Sequence, residues 1–283
     1  MSDTGAESDP WRQCLSDSPR HAIEGCTSII VLDPRSDAAF VNRGIAYRRL
    51  GDLDRAMDDY DRAILLNRGD AGSFNNRGNA RQDAGDLEGA LADYSEAIRL
   101  DPAHVQAYSN RGSVYLELGE QSRAVADFDR AIAVDPEYAS AFHNRGIAHS
   151  RQGRYDLAVA DHDEAIRISP EYATAYNGRG YARSARGEFE AALRDFDRSM
   201  ALEPRSPEVF VNRGVLLFRV GDFNSALGEF DRALTIDRDY AQALFSRGVV
   251  KLKTGDPAGS EDRRDAECLE PGIGELMMAE GVL

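Results

Sequence analysis

Residues 105–138 read VQAYSNRGSVYLELGEQSRAVADFDRAIAVDPEY, and this stretch decides the fold. Tyr108, Arg111, Gly112 and Tyr115 stand at i, i+3, i+4 and i+7, which places them on one face of a first helix. Gly119 closes that helix, because glycine takes the left-handed conformation of a C′ position without steric penalty. Ala124, Asp127, Phe128 and Ala131 repeat the spacing on a second helix. Asp135-Pro136 ends it, since proline disfavours helix in the residue before it. Gly112 and Ala124 let the helices approach closely, while Tyr108 and Phe128 fill the wider gaps.

The same unit recurs along the chain. Asn-Arg-Gly begins at Asn42, Asn76, Asn110, Asn144 and Asn212, with Asn177-Gly178-Arg179-Gly180 and Ser246-Arg247-Gly248 in the two other places. Gly44, Gly78, Gly112, Gly146, Gly180, Gly214 and Gly248 are all 34 residues apart, and a second glycine follows each by seven. A fixed period of this length marks a repeat architecture.

With Phe40, Phe74, Tyr108, Phe142, Tyr176 or Phe210 before the glycine and Ala56, Ala90, Ala124, Ala158, Ala192 or Ala226 in the second helix, the pattern resembles the tetratricopeptide repeat in its Asn-Arg-Gly variety. The last unit has Leu244 at the aromatic place. The resemblance covers residues 37–274 and implies an all-α, right-handed superhelical solenoid of stacked antiparallel helix pairs. Its seven units are 37–70, 71–104, 105–138, 139–172, 173–206, 207–240 and 241–274. Residues 1–36 are expected to hold a partial repeat with a second helix over about 20–32, because Ala22 to Pro34 aligns with Ala124 to Pro136. The helix around Ser260–Asp265 is polar, as a terminal unit needs, and 275–283 is read as a tail or cap.

The chain carries 49 acidic and 34 basic residues, a net charge of −15 in 283 residues. No Lys/Arg run exceeds two, so phosphate backbones and anionic lipid surfaces find no clustered positive charge. No apolar run approaches a membrane span of about 18 residues. The start Met1–Glu7 lacks a signal-peptide profile, which suggests the cytoplasm; a periplasmic or secreted location is the alternative if this is a mature form.

Each unit has arginine before its first glycine (Arg43, Arg77, Arg111, Arg145, Arg179, Arg213, Arg247), and six have an acid on the second helix (Asp59, Asp93, Asp127, Asp161, Asp195, Glu229). Both lie on inward stripes and read as bidentate, partly buried ion pairs rather than a ladder for anionic ligands. Outer acids such as Asp61, Asp129, Asp163, Asp197 and Asp231 are expected to face solvent.

In tetratricopeptide proteins the first helices line a concave wall, mainly through positions off the packing stripe. Carried over by register, this wall is polar in the second and third units, with Asn75 and Asn79, and mixed in the fifth, with Tyr181. In the last two units it is apolar: Val211, Val215, Phe218, Phe245, Val249 and Leu252. Such a strip suits a peptide or helix, unless inter-repeat packing or the tail from Ile273 to Leu283 covers it. The basic positions that grip chaperone C-terminal carboxylates in this family hold Ala38, Gly72, Gln106, Ser140, Thr174, Glu208 and Gln242 here, so that mode is disfavoured.

No nucleotide loop, nucleophile elbow or zinc-protease motif occurs, and the histidines lack metal-ligand spacing. His149 and His162 stand at inward places where other units have Tyr or Phe. Trp11…Cys14…Cys26-Thr27 resembles an element preceding the repeats of some exported bacterial proteins. On ordinary paired helices Cys14 and Cys26 would lie a turn or more apart, too far to join. With residues 11–18 extended along the first helix a disulfide is feasible, and both alternatives stay open. Cys268 is left unpaired, at a place that core packing would explain.

The resemblance thus implies a non-enzymatic protein–protein interaction scaffold or adaptor without cofactor or metal, binding a peptide or helix. The charge and the lack of long apolar runs leave no nucleic-acid or membrane partner expected, and the chain is read as a monomer or weak homo-oligomer. The alternatives are the interaction subunit of an enzyme complex and a self-assembling structural solenoid.

Overall fold

A computed structural model describes residues 9–279, and every regular element among them is helical. A short α1 (Pro10–Cys14) and α2 (Pro19–Leu32) precede the repeats. The paired helices follow as α3 (Asp37–Arg49) with α4 (Leu53–Leu66), α5 (Ala71–Asp83) with α6 (Leu87–Leu100), and α7 (Val105–Glu117) with α8 (Gln121–Val134). Next come α9 (Ala139–Arg151) with α10 (Tyr155–Ile168), α11 (Ala173–Ala185) with α12 (Phe189–Leu202), and α13 (Pro207–Arg219) with α14 (Phe223–Ile236). The last pair is α15 (Ala241–Lys253) with α16 (Gly259–Leu269), followed by α17 (Ile273–Ala279). The chain divides into two compact halves, residues 1–136 and 137–283. Within each half a second helix packs on the next first helix, and successive first helices also touch, so that they form one continuous wall.

Three residues, Leu50 to Asp52, reverse the chain between α3 and α4. Gly51, at φ +77°, sends its N–H to the Arg48 carbonyl (2.9 Å), and Asp52 sends its N–H to the Tyr47 carbonyl (3.0 Å). These are the two bonds of a Schellman motif. The Asp52 carboxylate then accepts from the Arg55 N–H (3.2 Å) and caps α4. The corresponding glycines of the other six pairs hold φ between +71° and +88°.

The close approach inside each pair is glycine against ring. A Cβ on Gly44, Gly78, Gly112, Gly180 or Gly214 would lie 2.6–2.7 Å from the ring of Tyr60, Tyr94, Phe128, Phe196 or Phe230. Those rings are fully buried. The glycine therefore makes room for the second-helix aromatic rather than for Ala124 and its counterparts.

The arginines fork onto the second-helix aspartates. Arg77 donates from Nε and Nη2 to Asp93 (2.9 and 2.6 Å), and the pairs Arg43–Asp59, Arg111–Asp127, Arg145–Asp161 and Arg179–Asp195 repeat this. The hydrogen bonds to Asp93 hold Arg77 more firmly protonated than an ordinary arginine. The seventh repeat does the same with Asp262, one residue out of register (2.7 and 2.6 Å). The first-helix aromatic lies beside the guanidinium, as Phe74 does below Arg77 (5.5 Å).

Several outer acids do not simply face solvent. Arg77 also binds Asp61 (2.5 Å), Arg179 binds Asp163 (2.6 Å), Arg213 binds Asp197 (3.2 Å) and Arg247 binds Asp231 (2.8 Å). Each of these carboxylates stands one repeat earlier, so one guanidinium ties two repeats together. The sixth repeat breaks the rule. Glu229 is a methylene longer, and its carboxylate turns to Arg232 on the same helix (3.2 Å). Arg213 Nε and Glu229 Oε2 are left buried without hydrogen-bond partners.

The ends differ from expectation in three ways. Residues 10–14 are helical rather than extended, yet Cys14 and Cys26 are joined by a disulfide with their Cα atoms 4.5 Å apart. Gly25 is the reason: a Cβ there would lie 2.4 Å from the Cys14 nitrogen, so only glycine lets the end of α1 rest directly on α2. Cys268 is exposed, not packed in a core, because it falls on the outer face of the last second helix. The tail helix α17 touches α15 and α16 but neither α11 nor α13, so it continues the row of first helices instead of lying along their wall. The Met278 side chain, Val282, Leu283 and the acidic start Met1–Glu7 lie outside the described residues.

Candidate functional site: the first-helix wall

In the N-terminal half the wall is a network of amides. Asn110 Nδ2 donates to Asn75 Oδ1 (3.0 Å) and Asn79 Oδ1 (2.9 Å), bridging α5 and α7. The Tyr94 hydroxyl lies 2.8 Å from Asn79 Oδ1 and 3.0 Å from Gln82 Oε1 and donates to one of them at a time. Arg48 binds Asp83 of the next repeat (2.6 Å). Asn75 is buried and Asn79 half-buried. Both carbonyl oxygens are thus engaged internally, and Asn75 serves the packing between repeats more than an open surface.

In the C-terminal half the six expected apolar residues separate into two groups. Val211, Val215 and Phe245 are buried in one hydrophobic cluster with Val209, Leu216, Ile273 and Met277. They do not line an open wall: successive first helices cover the two valines, and α17 covers Phe245, where a Cβ on Gly274 would stand 2.8 Å from its ring. Phe218 and Val249 are half-buried, and Leu252 is 37% exposed. These three border the open part of the strip.

The middle of this half is polar and aromatic. Asn177 accepts from Asn212 Nδ2 (3.0 Å) and donates to Glu208 Oε1 (3.0 Å). Desolvation by the surrounding wall raises the Glu208 carboxyl above its usual range. Tyr181 meets Tyr155 edge-on, with centroids 6.5 Å apart. His162 is fully buried at the ring position of its pair, tilted against His143 (5.2 Å), which in turn meets Tyr172 (5.0 Å). Burial lowers His143 to about 4 and His162 to about 3. Neither nitrogen of His162 has a hydrogen-bond partner.

Phe189, Phe223 and Tyr155, which open three second helices beside this wall, are not among the residues expected to line it. The period of 34 was the signal that could have found them. Among the described residues no three His, Cys, Asp or Glu are placed to hold a metal ion, and no helix is long and apolar enough to cross a membrane. A depression between α4, α5 and α6 is lined by Phe74, Arg77 and Arg99, but both arginines already bind carboxylates.

The paired helices, the turn glycines and the ordered wall define a repeat scaffold, and comparison with known proteins places it. Tetratricopeptide repeat family models match residues 38–70, 137–204, 177–241 and 211–262, and a TPR repeat model matches 78–119 and 112–153. The chain belongs to the tetratricopeptide repeat family. A tetratricopeptide repeat protein from Parabacteroides merdae ATCC 43184 superposes with a TM-score of 0.72 at 22% identity, over 87% of this chain and 98% of that one. YrrB, described as a TPR protein with an unusual peptide-binding site, superposes with a TM-score of 0.50 at 26% identity, over 65% of this chain and 95% of that one. The Cut9–Hcn1 hetero-tetramer of APC/C gives 0.74 at 13% identity, over 97% of this chain and 54% of that one. No curated protein sequence matches the chain significantly.

Proposed function

We propose that this protein is a non-enzymatic scaffold that binds a peptide or helix of another protein on its first-helix wall. The observation that carries the reading is the open strip at the C-terminal end. Phe218, Val249 and Leu252 remain accessible in a strip whose other members, Val211, Val215 and Phe245, are covered by neighbouring helices. An apolar strip flanked by polar groups is the usual form of a peptide-binding groove. Family membership supports it, since stacked helix pairs offer extended surfaces for partners, and YrrB is described as having a peptide-binding site.

The Cys14–Cys26 bond favours an oxidising compartment over the cytoplasm, because cytosolic thiol pools keep such pairs reduced.

The test is capture of partners by the intact chain and by the Phe218→Glu/Val249→Glu variant. A partner held by the parent chain should be lost by the variant while helicity, read by circular dichroism, is retained. Equal capture by both chains would overturn the assignment.

A further inference from the structure

The wall of the C-terminal half has a chemical bias that the apolar strip alone does not explain. Tyr155, Phe189 and Phe223 open α10, α12 and α14 at intervals of 34 residues, and each is half-buried. The matching places in the N-terminal half hold Leu53, Leu87 and Gln121.

Two cations lie over the rings. The Arg219 guanidinium is 5.8 Å from the Phe189 centroid. Lys253 Nζ is 4.8 Å from Phe218 and 5.5 Å from Phe223, and those two rings meet at 5.7 Å. Arg219 Nη1 donates to the Ser184 carbonyl (3.2 Å), with the Ser184 hydroxyl at 3.5 Å. Neither cation has a carboxylate partner among the described residues. At the same register the first and fourth repeats carry Arg49 and Arg151, the second and third Asp83 and Glu117, and the fifth Ala185. In a chain of net charge −15 Arg219 and Lys253 are two unneutralised positive charges, fixed beside the open apolar strip.

We propose that this cation–aromatic stripe is the docking strip for an acidic segment of a partner protein that also carries aromatic or aliphatic side chains. The inference rests on the peptide-binding reading above and names the chemistry that the wall selects. A cation lying on a ring keeps most of its N–H groups free, so a carboxylate can bind it without the cation leaving the ring. An apolar side chain of the same segment then covers Phe218, Phe223 and Leu252. A neutral or basic occupant would strip water from Arg219 and Lys253 without pairing them, which opposes binding. Charge therefore decides among ligands that the apolar strip alone would accept equally.

A random-peptide library selected on the full chain tests this, with the Arg219→Gln/Lys253→Gln variant as comparison. Both side chains are exposed, so the variant keeps its fold, which a thermal melt checks. The enriched peptides should combine net negative charge with Phe, Leu, Tyr or Trp. A synthetic copy should bind the parent chain about tenfold or more tighter than the variant. Enriched peptides that are not acidic, or that bind both chains within about twofold, overturn the inference and leave the groove reading standing. Failure to enrich any peptide removes the groove reading and this inference with it.

Discussion

His162 shows what a single side chain does inside a repeated core. Tyr60, Tyr94, Phe128, Phe196 and Phe230 occupy its place in other pairs, and Gly146 and Gly178 both press on its ring. Its two nitrogens lie in an apolar site without partners, with His143 and Arg179 as the nearest influences on its charge. Burial lowers its pKa to about 3 against an ordinary 6.5. The native state therefore refuses a proton that the unfolded state accepts. Stability is full above the unfolded value and falls as pH drops below it, by up to about 1.4 kcal/mol per pH unit until the folded value is reached. His143, lowered to about 4, acts in the same direction. We expect His162→Phe to be more stable at neutral pH, by about 1–3 kcal/mol, through removal of the unpaired nitrogens. Melts at neutral pH and near pH 5 should show a smaller acid loss in the variant; equal losses would exclude His162 as a source. Sequence register identified the place as inward. That no donor or acceptor meets the ring depends on side chains from three helices, which register does not supply.

At the scale of one element, α1 is too short to hold itself. Five residues make barely more than one turn, and a helix that short is marginal in water. It stays because Cys14 and Cys26 are bonded and pack with Ile29 and Ala39 in a small cluster of their own. Cys14→Ser/Cys26→Ser should cost about 3 kcal/mol, as expected for a short closed loop. Hydrogen exchange should rise in residues 10–32 and remain unchanged in α5 to α8. Uniformly faster exchange would mean that the bond supports the whole half rather than its end. Periodicity located α2, whereas α1 carries no period. Its position follows from Gly25, whose missing side chain matters only when another backbone lies on it.

At the scale of the whole molecule, repeats interact with their neighbours and with little else, so damage at an end should remain local. Ile273, the first residue of α17, is fully buried and packs in the cluster that contains Phe245 and Met277. Ile273→Asp buries an unpaired carboxylate and should release α17, at a cost of about 2–5 kcal/mol. Exchange protection should fall across residues 241–279 and be retained in 37–136. Loss of protection in both halves would contradict the nearest-neighbour picture.

The helix pairs, their turns and the arginine–aspartate forks were determined by the sequence itself. Each depends on residues close in the chain or at one fixed spacing, such as Gly51 after α3 or Asp93 after Arg77, and seven copies make the spacing plain. The tertiary structure alone decided which side chains remain available. Val211, Val215 and Phe245 read like Phe218 and Leu252 in sequence, but neighbouring helices cover the first three and leave the other two accessible. The failed pairing of Arg213 with Glu229 and the second bond from Arg77 to Asp61 belong to the same class. Burial and pairing depend on a surface contributed by the adjoining repeat, and one methylene or one missing Cβ is enough to change the outcome.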